Sequence, residues 1–439
     1  MTLVGLDDTD SREEGMCTTY VAARIADSLA DRGWSVERSL LRLNPAVEYK
    51  TRGNAALAVE TDAQRDVARE VARDHLDLAA DGPRTDPGLV VADTTDDEIA
   101  AFARQAIRDY CSPDRAERLA RERGWDVLAA GRGIVGAVAA VGAPRVATPT
   151  VECISYREPA RRGSERSVNR DSVFAAADRG YPDAWDTVDR TAERAVCIPR
   201  TPGPILHGIR GDDRDTVERV ARAIESEPVE RRATVRTNQG TDAHLREGTV
   251  DAIEDGYSYR VTGRIVAAPE TREGGHVFAT LGAESGTATP GAESGTAVDA
   301  RPDGGDGRQS SGSGLDLVAF EPTGRFRDRV RALRVGDRVT VCGEVSEGTL
   351  KLEKFAVREL RRTERTTPDC PDCGRSMTSA GRSAGYRCRD CSTHAPGRVE
   401  RPIERDLERG WYEVPPLARR HIAKPLVRGG FDAPIHPER

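Results

Sequence analysis

Three carboxylates directly follow the first apolar segment of the chain and are the residues best suited to carry chemistry. Asp7, Asp8 and Asp10 lie within four residues of one another, after an apolar run at residues 3–6. Crowded carboxylates repel one another unless a cation neutralises them, and Mg²⁺ takes one or two carboxylates together with waters and substrate phosphates. The spacing therefore predicts a magnesium site, and the alternative that it leaves open is an Asp-rich turn that caps a helix.

Two further segments are suited to contact a nucleotide. A helix is predicted to begin near Thr18, which places its hydroxyl at the positive end of the helix dipole, where phosphate is favoured. Gly131, Arg132, Gly133 and Gly136 open an apolar helix, and backbone N–H groups at such glycines can approach phosphates closely. The alternative for the glycines is close packing of a small-residue helix. The run lacks the lysine of a Walker loop and is therefore not a P-loop.

Four cysteines near the C-terminus have the spacing of a zinc site. Cys370 and Cys373 form one Cys-x-x-Cys pair, and Cys388 and Cys391 form a second. Each pair aims two thiolates at one ion, and four thiolates close a tetrahedral Zn²⁺ site with no open position, which indicates a structural role. The alternative, two disulfides, fits poorly with a cytosolic chain.

The order of the predicted elements indicates a multidomain α+β protein that begins with two α/β modules. Residues 1–125 form the first module, which carries the Asp-rich nucleotide site, and the β-α-β-β-α-β order of its first 95 residues is the ferredoxin-like motif. Residues 126–247 form a second α/β module, either separate from the first or interleaved with it.

The remainder of the chain is predicted to be β-rich. Residues 248–362 show five short strands with a helix between the third and fourth, the order of an OB-fold barrel. The Gly/Ser/Asp-rich insertion 282–314 has almost nothing apolar to bury and is expected to be disordered. A zinc ribbon over residues 366–396 and a basic tail over residues 397–439 follow.

The charge distribution favours a polyanionic partner at the C-terminal end. From residue 354 onward there are 18 Lys and Arg and 12 Asp and Glu, which gives this segment a net charge of +6. Since the whole chain has a net charge of −7, residues 1–353 carry −13. The tail combines arginines with Trp411 and Tyr412, which suits phosphate contacts and base stacking on RNA, the alternative being a solvated charged tail. No apolar run approaches a membrane span of about 20 residues, so that a cytoplasmic protein without membrane contact is expected.

Several motifs in one order resemble the archaeal tRNA(Ile) 2-agmatinylcytidine synthetase family, also called tRNA(Ile)-agmatidine synthase, over nearly the whole chain. The motifs are Asp7-Asp-Thr-Asp10, Gly15-Met-Cys-Thr-Thr-Tyr20, Arg42-Leu-Asn-Pro45, Tyr49-Lys-Thr-Arg-Gly-Asn54, Gly131-Arg-Gly-Ile-Val-Gly-Ala137, His207-Gly-Ile-Arg-Gly211 and Thr237-Asn-Gln-Gly-Thr-Asp242. The resemblance implies a kinase-like domain, a ferredoxin-like domain, an OB-fold and a zinc ribbon. It also implies an enzyme that uses ATP to activate the C2 carbonyl of the wobble cytidine in an isoleucine tRNA with a CAU anticodon.

In this family, the primary amine of agmatine then displaces the activated oxygen, AMP and pyrophosphate are formed, and AUA codons can be read. The resemblance further implies that Thr18 becomes phosphorylated. Phosphoryl transfer is mostly positioning and charge neutralisation, which makes Lys50, Arg52 and Arg132 candidates to neutralise phosphate charge beside the magnesium carboxylates. No obligate protein partner is evident. Two rival functions are an RNA-binding protein without catalysis, which leaves the carboxylates unexplained, and a plain kinase, which leaves the basic C-terminal half unexplained.

Overall fold

The computed structural model describes residues 1–10, 16–47, 54–79, 85–284, 314–381 and 384–439. The candidate site residues Lys50 and Arg52 lie outside these ranges, as do residues 285–313 of the predicted insertion. Within the ranges, no helix is both long enough and apolar enough to cross a membrane.

The first 244 residues contain eleven strands and seven helices among those described. The strands are β1 (Thr2–Asp7), β2 (Val36–Arg42), β3 (Ala55–Thr61), β4 (Gly88–Ala92), β5 (Asp126–Ala130), β6 (Thr150–Arg157), β7 (Ala184–Trp185), β8 (Val188–Asp189), β9 (Arg194–Ala195), β10 (Ile205–Gly211) and β11 (Val229–Thr237). The helices are α1 (Thr18–Asp31), α2 (Arg65–Leu76), α3 (Asp97–Arg108), α4 (Pro113–Glu122), α5 (Ile134–Val141), α6 (Arg170–Gly180) and α7 (Arg214–Ala223).

Nine of these strands form a single sheet in the order β5-β4-β1-β3-β2-β11-β6-β10-β7. The predicted β-α-β-β-α-β order at the N-terminus is confirmed, and its four strands pair antiparallel in the order β4-β1-β3-β2. Strands β2 and β11 pair parallel, with Ser39 opposite Arg236 and Leu40 opposite Thr237. The two α/β runs therefore share one sheet, which is joined at β2 and β11.

Capping side chains accept backbone hydrogen bonds at the start of several helices. Ser112 accepts a hydrogen bond from the backbone N–H of Arg115 and is followed by Pro113, which suits the first turn of α4. Helix α5 packs across β1, β3 and β4, very close to the sheet. A Cβ atom at Gly5 in β1 would lie 2.1 Å from the carbonyl oxygen of Ala137, so that only glycine permits this approach.

The second half of the chain contains a closed ring of five strands. Strand pairs β13–β14, β14–β15, β15–β17, β17–β16 and β16–β13 complete the ring, and α8 packs against β13, β14 and β15. The elements are β12 (Leu245–Gly248), β13 (Ser258–Thr271), β14 (Val277–Gly282), β15 (Leu315–Ala319), α8 (Arg325–Arg331), β16 (Arg338–Ser346) and β17 (Thr349–Glu359).

Short strands make up the C-terminal segment. They are β18 (Thr363–Thr366), β19 (Thr378–Ser379), β20 (Tyr386–Arg387), β21 (His394–Ala395), β22 (Val399–Pro402), β23 (Gly410–Glu413) and β24 (Ile435–His436). Strands β19, β20 and β21 form a small sheet around the cysteine pairs. Strand β23 extends the five-stranded ring by pairing with β17.

The prediction of a tail with exposed aromatic residues is wrong. Trp411 is fully buried and Tyr412 is 6% exposed, because β23 places them in the apolar interior beside β17. The Nε1 of Trp411 donates a hydrogen bond to Asp432 at 2.9 Å, and the Tyr412 ring stacks on Phe355. Neither ring is available to stack on bases.

Several of the tail's cations are also held by carboxylates of the body. Arg405 and Arg419 have nearly buried side chains. Arg405 forms an ion pair with Asp337 of the body at 2.6 Å, and Arg419 forms one at 2.7 Å with Glu413 of the tail itself. Arg419 also forms an ion pair with Asp186, which lies between β7 and β8 in the first half of the chain. The tail is therefore a packed segment that joins the barrel to the large sheet, whereas a solvated tail would leave these charges in water.

We expect Trp411→Ala to destabilise the protein by about 3–5 kcal/mol, because it empties a fully buried indole site. Chemical denaturation measures the free energy of unfolding. Leu417→Ala is the control, because Leu417 lies in the same segment but is 38% exposed. Loss of RNA affinity without loss of stability in Trp411→Ala would contradict the buried position of the ring.

Candidate active site

The acidic turn lies at the carboxyl end of β1, which is between β4 and β3 in the nine-stranded sheet. Asp7 is the last residue of the strand, and its Oδ1 accepts a hydrogen bond from the backbone N–H of Asp8 at 2.7 Å. Asp8 has φ of 55°, a left-handed conformation that few non-glycine residues adopt. Asp7, Asp8 and Asp10 are each at most 9% exposed. Strained backbone and buried carboxylates at one turn are typical of a functional site.

The buried carboxylates of this turn repel one another. Burial is the main cause that raises the pKa of the Asp7 carboxyl to about 8, and the neighbouring charge of Asp8 contributes to the rise. A bound cation would reverse this effect, because it stabilises the ionised carboxylates. The oxygen donors of Asp7, Asp8 and Asp10 are of the type that Mg²⁺ prefers. Among the described residues, however, the one group of three or more possible ligands that lie together is the four-cysteine cluster.

Thr18 lies directly beside the acidic turn. It is the first residue of α1, and its Oγ1 accepts a hydrogen bond from the backbone N–H of Thr9 at 3.3 Å and donates one to Asp10 at 3.5 Å. Cys17 precedes the helix and makes no capping hydrogen bond through its side chain. The first turn of α1 thus combines a hydroxyl with a positive dipole end next to an acidic turn.

The glycines of the predicted phosphate loop lie against the acidic turn. A Cβ atom at Gly136 would lie 1.9 Å from Asp7 Oδ2, and one at Gly133 would lie 2.9 Å from the Cβ of Asp8. A Cβ atom at Gly131 would lie 2.1 Å from Asp86, the residue that also pairs with Arg132 at 3.6 Å. The glycines are required for close packing at the start of α5, as expected for a small-residue helix. The same packing places Gly133 and Gly136 beside the carboxylates of the acidic turn.

Two clefts open on either side of the acidic turn. The first cleft is lined by Asp7, Asp8, Arg132, Gly133 and Gly136 together with apolar side chains of α3, α4 and the segment after β2. The second cleft is lined by residues of β2, β3, β6 and β10 and by the start of α1. Its lining includes Asp10, Thr18, Arg42, Glu152, Arg210 and His421.

Sequence reasoning missed several residues of the second cleft. Arg42 and Arg210 lie in motifs that the sequence singles out, but their spacing does not reveal that β2 and β10 bring them to one cavity. Glu152 has only its position in β6 as a signal. His421 comes from the C-terminal segment, and no pattern in the sequence connects it with the N-terminal carboxylates.

The four predicted zinc ligands come together in the ribbon. One ligand atom from each of Cys370, Cys373, Cys388 and Cys391 can be chosen so that all four lie within 4.8 Å of one another. Tetrahedral Zn–S bonds of about 2.3 Å place sulfurs roughly 3.8 Å apart, so that the cluster fits one zinc ion. All nine cysteines are unlinked, so that the disulfide alternative is not found.

Three segments of the chain match the domains of one protein family. Residues 3–132 match the TiaS TCKD domain, residues 131–244 the TiaS FLD domain, and residues 367–407 the TiaS C-terminal zinc ribbon domain. The chain is 52% identical to the isoleucine-tRNA 2-agmatinylcytidine synthetase TiaS of Haloquadratum walsbyi and 40% identical to that of Methanosarcina acetivorans, in each case over 100% of both chains. The chain belongs to the TiaS family.

Solved TiaS structures also match this chain from end to end. The crystal structure of TiaS in complex with its isoleucine tRNA and ATP has a TM-score of 0.83 and 36% identity, and covers 100% of this chain and 99% of its own. The TiaS complex with the same tRNA, AMPCPP and agmatine has a TM-score of 0.81 and 34% identity, with the same coverage. The family resemblance predicted from the seven motifs is therefore confirmed.

We expect Cys388→Ser to lower the zinc content well below about one ion per chain, because a structural site needs all four thiolates. Metal analysis of the purified protein measures this loss, and melting curves should show a ribbon that unfolds earlier. His394→Ala is the control, because His394 lies in the ribbon outside the four-cysteine cluster. Equal zinc content in Cys388→Ser and wild type would rule out the predicted ligand set.

Proposed function

We propose that this chain is an ATP-dependent ligase that attaches agmatine to C2 of the wobble cytidine of the AUA-decoding isoleucine tRNA, with AMP and pyrophosphate as products. The relatives at 52% and 40% identity carry this synthetase name, and the structures that match it contain an isoleucine tRNA, ATP or AMPCPP, and agmatine. The observation that carries the proposal is the acidic turn with Thr18, which separates two clefts of different character.

The first cleft suits the nucleotide. Its apolar side can accept the base, while Arg132 and the start of α5 lie at the other side, near Asp7 and Asp8. We assign Asp7, Asp8 and Asp10 to Mg²⁺, which would neutralise the charge of the phosphates. Lys50 and Arg52 follow β2 in the sequence and are proposed to add further positive charge.

Thr18 is the proposed phosphate acceptor. Its hydroxyl contacts Asp10 and lines the second cleft, so that the γ-phosphoryl group of ATP would pass to the Thr18 oxygen with ADP as the leaving group, in a self-modification separate from ligation. Cytidine O2 is a poor leaving group until it is esterified to phosphorus. Its attack on the α-phosphorus of ATP would release pyrophosphate, and displacement by the amine of agmatine would then release AMP, which carries the former O2. The second cleft is then the place where the activated cytidine would meet the primary amine of agmatine, between the two α/β runs.

The topology supports an assignment of the domains implied by the family. We assign the catalytic kinase-like unit to about residues 1–125 and the ferredoxin-like unit to 126–247, although the β4-β1-β3-β2 order also gives the first unit a ferredoxin-like sheet. The closed five-strand ring supports an OB-fold at 248–362, followed by the ribbon at 366–396 and the segment 397–439. Such a tRNA-modifying enzyme is expected in the cytoplasm.

Product analysis distinguishes the proposal from its two rivals. The protein is mixed with the isoleucine tRNA, ATP and labelled agmatine, and nucleotide products and label in tRNA are measured. The ligase gives AMP, pyrophosphate and labelled tRNA. A plain kinase would give ADP, and a binding protein would give no turnover.

We expect Thr18→Ala to lose the phosphate that wild type incorporates from γ-labelled ATP, because the acceptor hydroxyl is removed. Intact-protein mass spectrometry gives the labelled fraction. Thr19→Ala is the matched control, because the neighbouring hydroxyl contacts Cys17 rather than Asp10. Full labelling of Thr18→Ala, or its loss only in Thr19→Ala, would move the acceptor elsewhere.

We expect Asp10→Asn to reduce ATP consumption by about 100-fold or more at any Mg²⁺ concentration, because the neutral amide keeps the shape but removes a proposed metal ligand. Steady-state assays over a Mg²⁺ titration measure this change. Asp93→Asn is the control, because Asp93 is exposed and pairs only loosely with Arg65, at 3.6 Å. Wild-type rates and wild-type Mg²⁺ dependence in Asp10→Asn would remove the assignment.

A further inference from the structure

Three basic residues from distant parts of the chain converge on the second cleft. Arg42 ends β2, Arg210 lies in β10, and His421 lies in the C-terminal segment, and all three line the cleft that Thr18 also lines. The cleft thus combines two guanidinium groups, one from each α/β run, with an imidazole from the end of the chain.

The guanidinium of Arg42 is held in a fixed orientation at the cleft wall. Its Nε and Nη2 donate to Oε1 of Gln239 at 3.0 and 2.7 Å, and Gln239 in turn donates to Glu152. Burial lowers the pKa of Arg42 to about 10, the charge of Glu152 opposes this, and Arg210 lowers it further. The surroundings of Arg42 therefore disfavour its charge on balance, and an anion in the cleft would stabilise that charge.

Arg210 interacts with the charges of two carboxylates, Glu152 and Asp186, and Asp186 also pairs with Arg419. The Nε of Arg210 lies 3.4 Å from Glu152 Oε1, and this buried nitrogen makes no hydrogen bond. The Glu152 carboxylate lies close over Gly208 of β10, where a Cβ atom would come within 2.7 Å of its Oε1. The same carboxylate also acts on Arg42 through its charge.

The main chain at His421 is held in place from the side of the large sheet. Its carbonyl oxygen accepts a hydrogen bond from the backbone N–H of Gly240 at 2.6 Å. Further along the same segment, Lys424 donates its backbone N–H to Asp242 at 3.0 Å, and Arg428 pairs with Asp212 at 2.7 Å. These contacts keep the imidazole at the cleft wall.

The charges around His421 disfavour its protonated form. Arg42, burial and Arg210 together lower the pKa of the imidazole well below its usual value, and Arg420 lowers it further. The other charged or titratable groups that line the cleft are Asp10, Cys17, Glu152, Arg166 and Cys197. The imidazole is therefore neutral at pH 7 as long as no anion occupies the cleft.

We infer that Arg42, Arg210 and His421 form a subsite for a tetrahedral phosphate-type anion opposite Thr18. The inference rests on the proposed function, in which two phosphates can reach this cleft. One is the phosphoryl group that activates the cytidine oxygen, and the other is a backbone phosphate of the tRNA next to the modified nucleotide. Either anion would attract both arginines at once and offset their mutual repulsion.

Binding of the anion is coupled to protonation of His421. An anion between the two arginines cancels their field at the imidazole and adds a favourable charge, so that the imidazole can take up a proton and donate it in a hydrogen bond to the anion. The sign follows from linkage: a site that binds more protons with ligand than without it binds the ligand more tightly as the pH falls. The subsite therefore takes up protons on binding around neutral pH.

Calorimetric titration of the full-length protein with sulfate tests the subsite. Sulfate keeps its charge between pH 6 and 8, so that a dependence of the heat on the ionisation enthalpy of the buffer reports protons taken up by the protein. We expect wild type to take up protons, Arg210→Met to bind at least about tenfold more weakly, and Arg210→Lys to recover part of the affinity. His421→Ala should lose the proton uptake. Arg214→Met is the control, because Arg214 is 44% exposed on α7.

Kinetics and tRNA binding of Arg210→Met distinguish the two sources of phosphate. A lower rate of agmatine transfer at saturating tRNA with unchanged tRNA affinity assigns the subsite to the activating phosphoryl group. A weaker tRNA complex whose salt slope falls by about one assigns it to a backbone phosphate. Equal sulfate affinity in wild type, Arg210→Met and His421→Ala, or no proton uptake by wild type, would overturn the inference. The proposed function fails separately, when wild type binds sulfate as expected but transfers no agmatine to tRNA.

Discussion

The close packing of α5 against β1 is the constraint on which the rest of the active region depends. Gly5 and Gly136 allow the helix to approach the strand so closely that any side chain at either position would overlap Ala137 or Asp7. This packing buries Asp7, and burial together with Asp8 makes its charge unfavourable without a cation. The absence of two Cβ atoms thus has an electrostatic consequence, which is the raised pKa of the buried Asp7 carboxyl.

Local features of the chain were predictable from its sequence. The amphipathic helices, the β-α-β-β-α-β order and the paired cysteines depend on periodicity and on spacing, which are both read within short windows. The contact of Thr18 with Asp10 was also predictable, because only a few residues separate the acidic turn from the start of α1. The motif set identified the family, and through it the chemistry.

Long-range placement was not predictable in the same way. The parallel pairing of β2 with β11 joins residues that are almost two hundred positions apart, and no periodicity encodes it. The tail was misjudged for a related reason. Its arginines suggest contact with solvent or RNA, but Arg419 and Arg405 pair with Asp186 and Asp337, which lie far away in the sequence, and the same packing buries Trp411. The charges of a segment can be counted from its sequence, whereas the burial of its side chains depends on the elements that pack against it.

The tail and the barrel are both attached to the large sheet through Asp242. Asp242 accepts hydrogen bonds from Lys354 of the barrel at 2.6 and 2.7 Å and from the backbone of Lys424, only a few residues away from the Gly240–His421 hydrogen bond. A displacement of the barrel relative to the large sheet must therefore strain the segment that carries His421. Since Lys354 is 1% exposed, separation of this ion pair would leave a buried charge without its partner, which is costly. The second cleft is complete only while the barrel and the sheet stay docked, so that its geometry depends on the half of the chain that carries the barrel and the ribbon.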